Sequence, residues 1–149
     1  MEDFLIANGL PALFFLSFLA ATVLPLGSEW LLVALVLNRL PLASVVATAT
    51  VGNYLGACTT YGIGLWGATF LVRKMVGIND NDLARAQGFY RKYGSWSLLF
   101  SWVPVVGDPL CLIGGMMRMN FVLFSLLVVA GKLARYLAIG MITASVMAE

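Results

Sequence analysis

Long stretches without a charged residue are the feature that most restricts the fold of this chain. Residues 4 to 28, 40 to 72 and 119 to 131 contain no charged side chain. A helix needs about 20 apolar residues, at 1.5 Å each, to cross the hydrocarbon core of a bilayer, so the second stretch can cross outright. With 61% hydrophobic and 11% charged residues, the chain has more apolar side chains than a soluble domain of its 149 residues could bury. The sequence therefore predicts an integral membrane protein.

A four-part pattern occurs twice along the chain. Residues 25 to 52 and residues 104 to 131 both read Pro-x3-acid-x9-Arg-x12-Gly, at a constant offset of 79 positions. The matched pairs are Pro25 and Pro104, Glu29 and Asp108, Arg39 and Arg118, and Gly52 and Gly131. In a chain with so few charges, the joint match of acid and arginine favours an internal repeat over coincidence.

The spacing within each copy predicts a helix too short to cross the membrane. Nine residues separate acid from arginine, which as a helix span about 13 to 14 Å, or half a bilayer. Each copy is therefore interpreted as a re-entrant helical hairpin that turns near its proline and acid and is followed by a full-length helix. One crossing then separates the two hairpins, so the repeats are inverted, as in many transporters. A bundle of four conventional spanning helices is the competing architecture.

The predicted fold is thus an all-α membrane protein with a single membrane domain over residues 1–149. Its parts are repeat 1 at about 10–72, a connector at 73–93, and repeat 2 at about 94–148. The connector should contain an amphipathic helix at headgroup level, because apolar residues follow helical spacing on one side and cations lie on the other. Its basic residues also predict a cytoplasmic location, although Arg39 argues the other way.

Two carboxylates and two cations are the main candidates for function. Glu29 and Asp108 fall at the predicted hairpin tips, where an ionisable group costs roughly 3 kcal/mol or more and suggests proton coupling or gating. Lys132 and Arg135 interrupt the last apolar helix and are expected either to pair with these acids or to bind an anionic headgroup. The hairpin-exit residues Arg39 and Arg118 are further headgroup candidates, although snorkelling to the interface also explains them.

Soluble-type catalysis has no support in the sequence. The chain has no histidine and two cysteines, Cys58 and Cys111, in apolar surroundings. Neither a metal-ligand cluster nor a phosphate loop or nucleophile-base pair is visible. We therefore expect no enzyme activity, no cofactor, no metal and no nucleic-acid partner.

The motifs resemble those of the DedA family of bacterial membrane proteins, related to the eukaryotic VTT-domain family, and look closest to its short YqaA-like branch. Four stretches carry the resemblance: LPLGSEWLLVALVLN (24 to 38), VGNYLGACTTYGIG (51 to 64), YGSWSLLFSWVPVVGDPLCLIGGMMRM (93 to 119) and AGKLARYLAIG (130 to 140). The resemblance implies opposed re-entrant hairpins, a bacterial inner-membrane location and translocation of undecaprenyl phosphate or phospholipids, with dependence on the proton-motive force in some members. The resemblance to the eukaryotic relatives implies lipid scrambling between the two leaflets.

Position by position, the resemblance is incomplete. Glu29 matches the family's acid after the first proline, but Asn53, predicted to lie in the cleft, stands where many members have aspartate. At the positions of the two arginines in the family signature G-R-F-x-P-x-x-R, this sequence has Ser101 and Gly107, and Asp108 follows one position later. The cationic role is therefore expected to move to the last helix.

The expected function is a lipid transporter of the flippase or scramblase type, which passes an anionic headgroup through a polar cleft between the hairpins. Pro25 and Pro104 would form the turns of that cleft. The alternatives are a proton-driven exchanger of small ions or drugs that uses the same acids, and a membrane scaffold that transports nothing. The oligomeric state stays open, a homo-oligomer included.

Overall fold

A computed structural model describes residues 2–22, 28–66, 80–103 and 106–148. These residues form six α-helices and one 3₁₀ helix, and no β-strand occurs among them. The helices are α1 (Glu2–Ala20), α2 (Glu29–Leu37), α3 (Leu42–Leu65), α4 (Asp80–Tyr93), the 3₁₀ helix (Gly94–Trp102), α5 (Gly107–Met116) and α6 (Phe121–Ala148). The predicted all-α class is confirmed. The turn residues Pro25 and Pro104, like the connector cations Arg73 and Lys74, lie outside the described residues.

The short helix α2 ends in a turn that requires a left-handed residue. Arg39 has a φ of 61°. Its backbone N–H donates to the carbonyl of Val36 at 2.9 Å, and the N–H of Leu40 donates to Leu35 at 3.2 Å. This pair of bonds is the Schellman motif, which satisfies the free carbonyls at a helix end and normally places glycine where Arg39 stands.

The same turn ends α5, 79 residues later. Arg118 has a φ of 50°. Its N–H donates to Gly115 at 3.0 Å, and the N–H of Met119 donates to Gly114 at 3.0 Å. Each of these four positions corresponds to its counterpart in the first turn at the offset found in the sequence. The arginines of the repeated pattern therefore mark the ends of two short helices with the same local geometry.

The long helices α3 and α6 pack against each other at the centre of the molecule. The helix α2, from the first copy, packs on α6, and α5, from the second copy, packs on α3. The helices that precede them pack on the long helix of their own half, α1 on α3 and the 3₁₀ helix on α6. The short helices α2 and α5 thus each lie mainly against the long helix of the other copy, and these contacts are reciprocal.

Two apolar clusters fill the spaces between the short helices and the long helices on which they pack. One surrounds α5 and the other surrounds α2. The first includes Tyr61, Leu98, Leu110, Phe124 and Val128, and the second includes Leu13, Leu32, Leu35, Val45 and Tyr136. Both clusters draw side chains from both halves of the chain, so neither half completes a core alone.

The length and hydropathy of the helices indicate which of them can cross a membrane. Among the described residues, α6 is the one helix both long and apolar enough to cross a membrane. The helix α3 has 24 residues, but glycine, threonine and other polar residues lower its hydropathy. The stretch from 40 to 72 is predicted to supply one crossing, and the described helix within it is Leu42–Leu65, with 24 residues.

The segment before α5 is not an α-helix. Residues 94 to 102 form a 3₁₀ helix, which is long for this type of helix. With a rise of about 2.0 Å per residue, nine residues span roughly 18 Å rather than the roughly 13 Å of an α-helix. The nine-residue segment therefore reaches farther than an α-helix of the same number of residues would. In the first copy, the corresponding place is taken by the 19-residue α1.

Close contact between α1 and α3 depends on Gly52 and Gly56, and Gly56 gives a stability test. A Cβ at Gly56 would lie 2.5 Å from the carbonyl oxygen of Phe18, while one at Gly62 would meet nothing within 4 Å. We expect Gly56→Ala to lower the free energy of unfolding by about 1–3 kcal/mol, because backbone must shift. Gly62→Ala, on the same helix, should raise it by about 0.5–1 kcal/mol. Thermal unfolding in detergent compares the two, and equal effects would contradict this packing.

Candidate functional site

The carboxylates and cations identified in the sequence converge where the short helices begin. Glu29 is the first residue of α2 and Asp108 is the second residue of α5. Lys132 and Arg135 lie near the middle of α6, about one turn apart. Because α6 packs on α2 and also lies near the start of α5, it brings a cation to each acid.

Lys132 is the most buried of these charges. Its side chain is 5% exposed, and its Nζ lies 3.7 Å from Oδ1 of Asp108. The ammonium also donates a hydrogen bond to Oδ1 of Asn53. Asp108 is 32% exposed, so the lysine is enclosed while its carboxylate partner remains accessible on one side. A buried ammonium needs such partners, since removal from water costs several kcal/mol.

A hydrogen-bonded chain continues from Lys132 to the other short helix. Asn53 donates from Nδ2 to the hydroxyl oxygen of Tyr136 at 3.0 Å. That hydroxyl also contacts Oγ of Ser28 at 2.8 Å. Tyr136 is 1% exposed, and Ser28 directly precedes α2. The polar chain, from Ser28 through Tyr136, Asn53 and Lys132 to Asp108, therefore joins the start of α2 to the start of α5.

Arg135 makes a separate connection on the neighbouring face of α6. It forms an ion pair with Glu29 and donates from Nη1 to the carbonyl of Trp102 at 3.1 Å. The side chains of Arg135 and Glu29 are both about a quarter exposed. Arg135 thus fixes the end of the 3₁₀ helix beside the beginning of α2, and its guanidinium has donors beyond the two used here.

One contact in this site joins matched positions of the two copies. Asn53 and Lys132 are 79 residues apart, which is the offset of the repeated pattern. Matched residues touch only close to an axis that relates two copies, whereas elsewhere contacts are exchanged as reciprocal pairs. The Asn53–Lys132 hydrogen bond therefore lies where α3 and α6 face each other at the centre of the packing.

The structure separates the remaining candidates from this cluster. Arg39 and Arg118 are exposed and lie at the opposite ends of α2 and α5 from the acids. A helix of nine residues places them roughly 13 Å along the axis from Glu29 and Asp108. Their suggested headgroup role remains a prediction. Within the described part of the chain, no group of three or more potential metal ligands comes together.

Three contributors were not singled out from the sequence. They are Ser28, Tyr136 and the backbone carbonyl of Trp102. Ser28 and Tyr136 each adjoin a charged candidate, Glu29 and Arg135, and hydroxyls within otherwise apolar stretches were the available signal. The carbonyl of Trp102 carries no sequence signal, because any residue at that position would offer the same oxygen.

An apolar groove opens next to this site. It has a volume of about 470 Å³ and is lined by Trp102, Ala134, Arg135, Ala138 and Ile139. This volume lies within the range of roughly 300–1,000 Å³ typical of small-molecule sites. Arg135 is the charged member of this lining, so the groove and the Glu29 ion pair share one side chain.

Comparison with known proteins places most of the chain in one family. The VTT domain model matches residues 24–145. An uncharacterized protein of Haemophilus influenzae is 43% identical over 148 residues, covering 92% of this chain and 88% of the relative. Inner membrane protein YqaA of Escherichia coli is 41% identical over 138 residues, or 92% of each chain, and YqaA of Shigella flexneri matches equally. No solved structure matches.

Removing one hydroxyl tests the polar chain. Tyr136→Phe keeps the ring but leaves Asn53 Nδ2 and Ser28 Oγ without their shared partner, so we expect a loss of about 1–3 kcal/mol in the free energy of unfolding. Tyr54→Phe is the control, because Tyr54 is only partly buried and its hydroxyl contacts Ser125 at 2.7 Å. Denaturant unfolding of the purified variants measures both losses. A loss no larger for Tyr136 than for Tyr54 would contradict the central position of this hydroxyl.

Proposed function

The chain belongs to the VTT domain family, in the short YqaA-like branch of its DedA members, and from this membership we propose that it moves an anionic lipid headgroup across the membrane. The observation that carries the proposal is the burial of Lys132 beside Arg135, at the junction of two short helices in a strongly apolar protein. Ionisable side chains within the membrane-spanning part of a protein usually mark a substrate or ion pathway. The fixed positive charges favour a phosphate-bearing substrate.

The proposed architecture is the inverted repeat of two re-entrant hairpins. Three features support it: the half-bilayer length of α2 and α5, the identical turns at Arg39 and Arg118, and the reciprocal packing of each short helix on the other copy's long helix. In this arrangement the short helices enter from opposite faces and their first residues meet near the midplane. Irregular backbone at that depth is tolerated where it lines a polar cavity.

In the proposed mechanism, the cations exchange their carboxylate partners for the lipid phosphate. The phosphate approaches from the accessible side of Asp108 and Glu29, while the hydrocarbon tails remain in the bilayer. Protonation of either carboxylate weakens its ion pair and frees Lys132 or Arg135 to bind the headgroup. The acids then act as gates, and a proton gradient can bias the direction of movement.

The proposed location is the bacterial inner membrane, in a multi-pass arrangement with the 73–93 connector in the cytoplasm. The name of the Escherichia coli and Shigella relatives and the excess of basic residues in the connector support this placement. Neither the family description nor the names of these relatives states a catalytic activity. We accordingly propose a transporter without enzyme activity.

A reconstituted transport assay tests this function. The purified protein in vesicles should accelerate the movement of fluorescent polyprenyl phosphate or phosphatidylglycerol between leaflets. We expect Arg135→Gln to slow this movement at least about tenfold, which corresponds to about 1.4 kcal/mol, because the phosphate loses its charged partner. Arg135→Lys should retain part of the activity. Arg85→Gln, which removes an exposed cation of α4, should leave the rate unchanged.

The same vesicles separate the alternatives. If the folded wild-type protein leaves lipid movement unchanged while a pH gradient drives the uptake of a small solute, the protein is an exchanger. If neither process occurs, the scaffold interpretation is correct. A rate unaffected by Arg135→Gln would exclude Arg135 from headgroup binding.

A further inference from the structure

The groove beside Arg135 differs from the polar chain in both shape and chemistry. Among the described residues its lining is apolar apart from the guanidinium, and two of its members are the small side chains Ala134 and Ala138. These alanines are four residues apart on α6, so they form one face of the helix. Small side chains on this face leave the space that Trp102 closes from the other side.

The size of the groove suits a single hydrocarbon chain. A methylene group is similar in size to a water molecule, whose share of liquid volume is about 30 Å³. A groove of about 470 Å³ therefore has room for a row of such groups. A complete headgroup with two acyl chains is much larger than this space. The groove thus fits one chain, or the first part of a longer one.

The position of Arg135 indicates which kind of hydrocarbon chain the groove binds. Its side chain is 23% exposed and lines the groove while pairing with Glu29. A phosphate at the end of the groove can take guanidinium donors other than those directed at Glu29 and Trp102, and arginine binds phosphate in a bidentate manner. The charge and the apolar space are therefore arranged for one molecule that has both a phosphate and a hydrocarbon chain.

We propose that this groove is the chain-binding site of the transported lipid, holding one hydrocarbon chain next to the phosphate bound by Arg135. This inference rests on the proposed function and makes it more specific. Lipid tails are as apolar as the groove, so burial of the chain there gives little affinity relative to the bilayer. Selectivity for anionic lipids then comes from Arg135, and the groove fixes where the chain enters the protein.

Fluorescence quenching of Trp102 tests the site directly. Replacement of Trp30, Trp66 and Trp96 by phenylalanine leaves Trp102 as the reporter. The full-length protein is placed in phosphatidylcholine vesicles with a few mole per cent of a lipid brominated on its chains. We expect brominated phosphatidic acid to quench Trp102 at least about twofold more than brominated phosphatidylcholine at the same mole fraction. Equal quenching by the two lipids would overturn the proposal.

Matched variants separate the groove from general disturbance of the fold. Ala138→Phe fills the groove and should abolish the preference for the anionic lipid, and the smaller Ala134→Leu should reduce it. Ala47→Phe adds the same ring at an exposed alanine of α3 and should leave the preference intact. Arg135→Gln should remove the preference without filling the space. A preference that survives Ala138→Phe would place the chain elsewhere and refute the groove.

Two further outcomes distinguish the source of the phosphate and the role of the site. Inorganic phosphate in the millimolar range should not relieve the quenching; relief would indicate a site for free phosphate and overturn the chain-binding role. If the anionic preference is present but the wild-type protein moves no lipid, chain binding in the groove is supported and the proposed transport is refuted. If lipid moves normally in Ala138→Phe, the proposed transport is supported and the role of the groove in it is refuted.

Discussion

The burial of the Lys132 ammonium is the constraint on which the centre of this molecule depends. A charge that is 5% exposed must have partners, and it finds them in Asn53 of α3 and Asp108 at the start of α5. Asn53 in turn holds Tyr136, which reaches Ser28 before α2. The positions of both short helices relative to the two long helices are therefore coupled to the satisfaction of one cation.

This constraint also explains why the two halves of the chain cannot be separated. Each apolar cluster needs side chains from both copies, and the polar chain between them crosses from one copy to the other. In such a buried network, a polar group that loses its partner is costly. In the proposed function, binding of a phosphate near Lys132 or Arg135 replaces a carboxylate within this network, so substrate binding and the packing of the hairpins change together.

Much of this arrangement could be predicted from the sequence. The 79-residue offset predicted the matching ends of α2 and α5, and the lack of charge elsewhere singled out Glu29, Asp108, Lys132 and Arg135, which the fold brings together as Lys132–Asp108 and Arg135–Glu29. The bond from Arg135 to the carbonyl of Trp102, the 3₁₀ form of residues 94 to 102 and the groove could not be predicted. A backbone carbonyl is common to all residues, and helix type and cavity shape arise from packing across the chain rather than from local pattern.

The proposed inversion of the two copies can be measured by thiol labelling in intact cells. In a variant with Cys58 and Cys111 replaced by alanine, single cysteines are introduced at Asn38 and Met117, in the equivalent exposed turns after α2 and α5. A small membrane-impermeant thiol reagent should label Asn38→Cys from the periplasm and should label Met117→Cys only after the inner membrane is permeabilised. Labelling of both cysteines from the same side would contradict the inverted arrangement and, with it, a site formed where opposed hairpins meet.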